Sequence, residues 1–404
     1  LFLEKTLLNT PNRRTCLHFI ALACALPGAA RAQKKYDTGA SDTEIKIGNF
    51  VPYSGPASAY GSLGKVYNAY FEKINAEGGI HGRKITFLSL DDAYNPAQSV
   101  EQTRKLVERD GVLLLFGAVG TAHNQAIVRY MNQRKVPHLF ISSGATRWGE
   151  YQKYPWSMGW APSYEMESRF MVRHILKHHP QPKIGVLMQN DDFGKDSFKG
   201  VLDELGDKAD QLIVSRQTYE ITDPTIDNQI ISLKNAGANV LINFSLSKAA
   251  VQSIRKVAEI GWKPTHYISS VSASIQSVFV PAGVENALGV ITPRYVIDPA
   301  DPQFKDSAQV REYLQFMRQY YPDGDPNDLI STSGYGRAVT MVKLLQQCGD
   351  DLTRANIMKQ AANMDFDIPM LLPGLKIKTS PTDHYPLEDV WLMRFDGTRF
   401  VLAD

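Results

Sequence analysis

Asn49-Phe-Val-Pro-Tyr-Ser-Gly-Pro-Ala-Ser-Ala-Tyr-Gly61 leaves a short β-type run at 44–50 through small and polar residues and enters a helix. Taken alone, the stretch reads most simply as a plain strand-to-helix connection, and the rest of the chain has to decide. Strand ends that open into such loops are where open α/β sheets place ligand sites. Outward from this stretch the pattern alternates. Tyr67, Tyr70, Phe71 and Ile74 recur at spacings of three and four and predict a helix over 63–77, stopped by Gly78-Gly79. A strand at 84–90 and a helix at 96–109 follow. The near-continuous apolar run 112–116 reads as a strand covered on both faces. A helix at 121–134 and a strand at 136–141 complete the block.

The rhythm starts again at 164. Helices at 164–178, 193–205, 225–236 and 248–260 alternate with strands at 183–188, 211–219, 240–244 and 266–269. Alternation of this kind implies parallel sheets with right-handed crossovers, here two sheets of similar plan. After Thr292 long helices dominate, at 303–320, 328–347 and 352–363. Asp396-Gly397 then turns a hairpin between strands at 389–395 and 399–402.

The chain has 404 residues, enough for two or three domains, with the apolar and charged fractions of a globular protein. Arg13 and Arg14 precede an apolar run from Cys16 to Leu26, followed by Pro27-Gly28 and Ala30-Arg31-Ala32. That order predicts a secretory signal peptide over 1–32, cleaved after Ala32. The apolar run is short for a bilayer span. Removing 1–32 takes Lys5, Arg13, Arg14, Arg31 and Glu4, and the formal charge moves from +2 to −1. Such a chain is not built for nucleic acid. Of three cysteines, Cys16 and Cys24 leave with the signal, and Cys348 alone cannot form an internal disulfide. Export without disulfides suits a bacterial periplasm.

Catalytic signatures fail. Gly117-Ala-Val-Gly120 is not a dinucleotide fingerprint, and Gly194-Lys195 lacks the preceding glycine of a phosphate loop. There is no G-x-S-x-G elbow. Asp91-Asp92 and Asp191-Asp192 sit at strand ends and read as helix caps. His174 and His178 are four residues apart, but with no third ligand nearby they read as cations at a helix C-terminus. No enzyme, cofactor or metal is expected.

Four segments in order carry a resemblance: Ser54-Gly-Pro-Ala-Ser-Ala-Tyr-Gly61, Ile74-Asn-Ala-Glu-Gly-Gly-Ile-His-Gly82, Asp91-Asp-Ala-Tyr-Asn-Pro-Ala-Gln98 and Ile141-Ser-Ser-Gly-Ala-Thr146. Asn190-Asp-Asp-Phe-Gly-Lys195 is similar to the first strand-to-helix turn of a second lobe. The chain resembles the branched-chain amino-acid binding proteins, periplasmic receptors of ABC transporters with the type I two-lobed fold. The resemblance covers essentially all of the chain beyond residue 32. It implies two Rossmann-like α/β lobes with parallel sheets joined by three hinge segments, crossing near Met158-Gly159, Val290–Thr292 and Leu387–Val390. Lobe one would comprise 43–158 and 292–386, lobe two 159–291 and 387–404. It also implies a monomer that delivers a small molecule to an ABC permease in the inner membrane, or a sensor of the same fold feeding a regulator.

The resemblance places ligand contacts at strand ends. In lobe one it implies a carboxylate cradle from Gly120, Thr121, Ser142, Ser143, Gly144 and Thr146. Small residues at a helix N-terminus turn free N–H groups toward an anion. Tyr60 corresponds to an aromatic wall against the ligand body. In lobe two Phe193, Ser245, Leu246 and Val271 correspond to contacts, and Trp160 follows the first hinge. Amino-acid binding members carry an acid after the strand at 266–269. Here 269–277 contains none. A buried ammonium without a partner is costly. The ligand is therefore expected to be a carboxylate with an uncharged, apolar or aromatic body. The alternative is a branched-chain or other amino acid, with Asp191 or Asp192 supplying the charge from elsewhere.

Overall fold

The computed structural model of the protein describes residues 34–403. The proposed signal peptide at 1–32 lies outside them. Five parallel strands form the first sheet: β1 (Glu44–Val51), β2 (Lys84–Asp91), β3 (Leu114–Phe116), β4 (His138–Ile141) and β5 (Ser157–Gly159), in the order β2-β1-β3-β4-β5. Seven strands form the second: β6 (Ile184–Gln189), β7 (Ile213–Tyr219), β8 (Val240–Phe244), β9 (Thr265–Ile268), β10 (Ile291–Arg294), β11 (Trp391–Phe395) and β12 (Phe400–Leu402). Their order is β12-β11-β10-β9-β8-β6-β7, parallel from β7 to β10, with β11 and β12 antiparallel at the edge.

Each sheet is covered on both faces, and the period of two shows in the sorting of side chains. Ile45, Ile47, Val51, Leu114 and Phe116 enter the main core, while Phe50 and Leu115 enter a separate cluster with Ile127 and Met131. In the second sheet Val186, Met188, Val240, Ile242 and Phe244 join the main core, and Leu187 and Leu241 the opposite cluster.

Helices α1 (Ser62–Ala76), α2 (Pro96–Arg104) and α3 (Thr121–Arg134) alternate with the first strands. Helices α4 (Tyr164–His178), α5 (Asp192–Leu205), α6 (Asp227–Asn235) and α7 (Ser247–Glu259) alternate with the second set. Helices α8 (Ala308–Tyr320), α9 (Leu329–Cys348) and α10 (Arg354–Ala361) follow β10. Helix α9 packs along α1, so these late helices complete the first lobe. It is buried almost throughout its length, which explains its weak amphipathic pattern. The expected start of α8 at 303 moves to Ala308, because the Ser307 side chain caps the helix on the N–H of Val310.

The chain leaves the first sheet for the second after β5, leaves the second after β10 for the late helices packed on the first lobe, and returns to the second at β11. The second passage lies after Arg294, later than the expected Val290–Thr292. Thr292 to Arg294 remain in the second sheet, paired to Trp391–Met393. The hairpin turn at Asp396-Gly397 is as expected, with the Asp396 carboxylate accepting from the N–H groups of Thr398 and Arg399. The short parallel pair of Lys35–Tyr36 with Asp351–Leu352 carries no signal in the sequence pattern.

Candidate ligand-binding site

The loops after β1, β3 and β4 leave the first sheet on one side and face the loops after β6, β8 and β9 of the second. Between them lie two adjoining chambers. One holds about 550 Å³ of space between atoms, its mouth included, and the other about 380 Å³. Tyr60, Leu63, Ser142, Tyr164 and Val271 line both.

Tyr60 ends the opening loop in a turn of 3₁₀ helix, Ser58–Gly61. Its hydroxyl donates to the Val271 carbonyl at 3.0 Å and accepts from Ser247 Oγ at 3.2 Å. Residues from the first lobe thus touch the second directly across the cavity. Burial pushes the Tyr60 phenol up to about 12, so it stays a neutral donor.

Gly120 precedes α3 with φ of +100°, a left-handed conformation that a side chain would strain, and a Cβ there would meet the His123 ring at 2.4 Å. The α3 N-terminus has no side-chain cap. Gly120 and Thr121 line the smaller chamber, and the Thr121 hydroxyl pairs with Ser143 Oγ at 2.8 Å. Ser143 and Gly144 line the larger one. A Cβ on Gly144 would fall 2.6 Å from the Pro162 carbonyl, so glycine is what lets this loop lie against the first crossing. Phe193 and Leu246 close the smaller chamber from the second lobe. Phe193 is set by the α5 N-terminus, where Asp191 accepts from the N–H groups of Phe193 and Gly194.

Three expected contacts are placed elsewhere. Thr146 lines neither chamber. Its N–H and hydroxyl donate to Asp196 Oδ2 at 3.0 and 3.1 Å, a clasp from the first lobe to α5. Burial drives the Asp196 carboxyl up to about 6, opposed by these two bonds and by the nearby Arg147 cation. Trp160 is fully buried and donates to Thr340 Oγ1 at 2.9 Å; it packs under the site rather than facing it. Ser245 is buried beside Leu246 and gives its carbonyl to the Ser272 hydroxyl.

Two charged residues in the larger chamber were not foreseen. Arg337 stands on α9 with Ile330 and Ser333, at spacings that put all three on the face toward the cavity. Its Nη1 donates to the Tyr67 hydroxyl at 3.0 Å, which leaves the Tyr67 proton for Ser142 Oγ at 3.2 Å. Its guanidinium lies 4.7 Å from the Trp160 ring. The expected cradle of small and hydroxyl residues includes no charged group, whereas the cavity contains a cation. The signal was available, since Arg337 is the one charged residue in 329–342.

Glu167 lies three residues after Tyr164 on α4, and both reach the chamber. The chamber thus contains a carboxyl group, though 269–277 has none, and it comes from a helix distant in sequence. Its carboxyl accepts from the Ser270 hydroxyl and, at 3.4 Å, the Ser270 N–H. Burial pushes it up to about 7 against those bonds. Tyr94 and Tyr295 complete the aromatic lining. Among the described residues no group of three or more His, Cys, Asp or Glu could hold a metal. Among them, too, no helix is long and apolar enough to cross a membrane.

A family model described as "Periplasmic binding protein" matches residues 44–399. "Leu/Ile/Val-binding protein homolog 7" of Brucella suis biovar 1 (strain 1330) is 26% identical over 263 residues, 63% of this chain and 63% of that protein. The chain thus spans a little under two thirds of the length of the curated relatives it matches. A solved structure described as a possible leucine/isoleucine/valine-binding protein from Rhodopirellula baltica SH 1 superposes with a TM-score of 0.76 at 22% identity, over 90% of this chain and 97% of that one. A branched chain amino acid ABC transporter protein from Thermus thermophilus with bound valine gives 0.79 at 16% identity, over 90% and 96%. At these identities the structures speak for the fold alone, which is that of type I periplasmic binding proteins.

Proposed function

The chain belongs to the periplasmic binding protein family, and from that premise we propose that it is the extracytoplasmic receptor of an ABC importer. It captures a small carboxylate with an apolar or aromatic body by hinge closure and presents it, as a monomer in the periplasm, to a permease in the inner membrane. It is a binder, not an enzyme. Lobe one would run over 43–158 and from 295 to 386, and lobe two over 159–294 and 387–404.

The observation that carries this reading is the Tyr60 hydroxyl bridging to Val271 and Ser247 over a cavity lined from both lobes. Ligand contacts made with both lobes at once bias an open–closed equilibrium. Leu63, Tyr164, Val271, Leu329 and Ile330 suit an apolar body. Thr121, Ser142 and Ser143 bring hydroxyls to the cavity beside the uncapped N-terminus of α3, and Gly120 and Gly144 keep the two loops slim there.

A second reading is an amino acid, and Glu167 favours it, since an ionised Glu167 would pair with a ligand ammonium. Calorimetric titration with benzoate, phenylacetate, 4-methylpentanoate, leucine and phenylalanine separates the two. Micromolar binding of the simple acids with none of the amino acids supports the first reading. Micromolar leucine alone overturns it.

A further inference from the structure

We infer that Arg337 is the counter-ion of the ligand's acid group, so that the acid is held as an ion pair against α9 and the hydroxyls of the first lobe complete its coordination. This rests on the receptor reading above and names the residue that would make the site select anions.

Arg337 is 3% exposed. Of its nitrogens, Nη1 is engaged by a neutral phenol, and Nε is buried without a hydrogen-bond partner. Among the described residues no carboxylate forms an ion pair with it. Arg83, also deeply buried, is bonded to Asp350 at 2.6 Å; Arg294, buried outside this cavity, donates to the Ala273 carbonyl with Asp298 and Asp301 in its field. A buried guanidinium without a carboxylate is costly unless an anion arrives. Here the unsatisfied edge belongs to a residue that lines the cavity, together with Ser142, Ser143 and Gly144.

The surroundings hold the group ready. Trp160 stacks beneath the guanidinium, and its own N–H is fixed by Thr340. The Arg337–Tyr67–Ser142 chain of hydrogen bonds ties the cation to the loop after β4. A planar fork presented this way suits a carboxylate. Glu167 faces the same chamber, but both its oxygens are engaged by Ser270 and burial favours its neutral form. Glu167 is thus engaged by Ser270 rather than by Arg337, whose free edge is left for a ligand acid.

The test compares the purified full chain with Arg337→Met and Arg337→Lys. Met keeps an apolar stem on Trp160 and removes the charge. The probes are benzoate and 4-methylpentanoate, each beside its primary amide. In Arg337→Met the affinity for the acids falls by at least about 30-fold, while any amide binding stays within a factor of three and Arg337→Lys recovers part of the loss. Ligand-free Arg337→Met melts at or above the wild-type temperature, because hydrocarbon replaces an unpaired buried cation. Acid binding unchanged in Arg337→Met overturns the inference and leaves the receptor reading standing. So does a variant that melts well below wild type and loses acids and amides alike, since that marks a structural role. If wild type binds leucine or the amides but no acid, the carboxylate reading itself falls, and this inference with it.

Discussion

Replacing Glu167 by Gln should change how stability depends on pH. The carboxyl is 2% exposed and held by Ser270. In the folded protein it titrates at about 7 rather than its ordinary 4.5, chiefly because burial disfavours the charge. Its folded-state value is raised. The associated stability is therefore fully present below 4.5 and is lost as pH rises through about 7. That difference corresponds to about 3 kcal/mol. A chain of this size unfolds with an entropy of roughly 0.8 kcal/mol per kelvin near 60 °C, so the loss is worth about 4 °C of melting temperature. Gln matches the shape, can still accept from Ser270, and does not titrate. The assay is thermal melting of both ligand-free proteins from pH 4.5 to 8. The wild-type melting temperature relative to Glu167→Gln should fall by about 4 °C across that range. A difference that is flat, or that grows with pH, would refute the claim that burial without a cation partner sets the state of Glu167.

Tyr60→Phe removes both hydrogen bonds across the cavity. It should weaken ligand binding about fivefold to tenfold, mostly through faster dissociation, with little change in melting temperature; stopped-flow fluorescence would read it. Gly144→Ala drives a Cβ to 2.6 Å from the Pro162 carbonyl and 2.7 Å from the Tyr164 ring. It should cost about 1–3 kcal/mol in denaturant unfolding and impair binding more than Tyr60→Phe does. Cys348 is buried, and its thiol is pushed up to about 12, mainly by burial. A thiol reagent should therefore label it only after unfolding, as mass spectrometry can check.

The alternating plan was legible because both sheets sort their side chains by face. Ile45 and Ile47 against Phe50, and Val186 against Leu187, are the pattern made visible. The backbone part of the site was legible for a similar reason. Gly120, Gly144 and the serines mark places where chains pass closely, and closeness leaves small residues in the sequence. What failed was the placement of charge. Arg337 comes from a helix more than 200 residues after the Tyr60 loop, and Glu167 from the first turns of α4 rather than from a strand end. Their meeting depends on how the late helices pack back on the first lobe, which no local pattern encodes. Thr146 misled for the opposite reason. Its neighbours do line the cavity, but the backbone turns at Ala145 and delivers its hydroxyl to Asp196.

The most direct measurement is a crystal structure of the protein bound to a simple carboxylate such as benzoate. One molecule is expected in the space beneath Tyr60, its ring or chain against Val271 and Ile330, and its acid oxygens within hydrogen-bonding distance of Arg337. An occupant lodged outside this space, or one whose acid turns away from Arg337 with the guanidinium still unmatched, would contradict that placement.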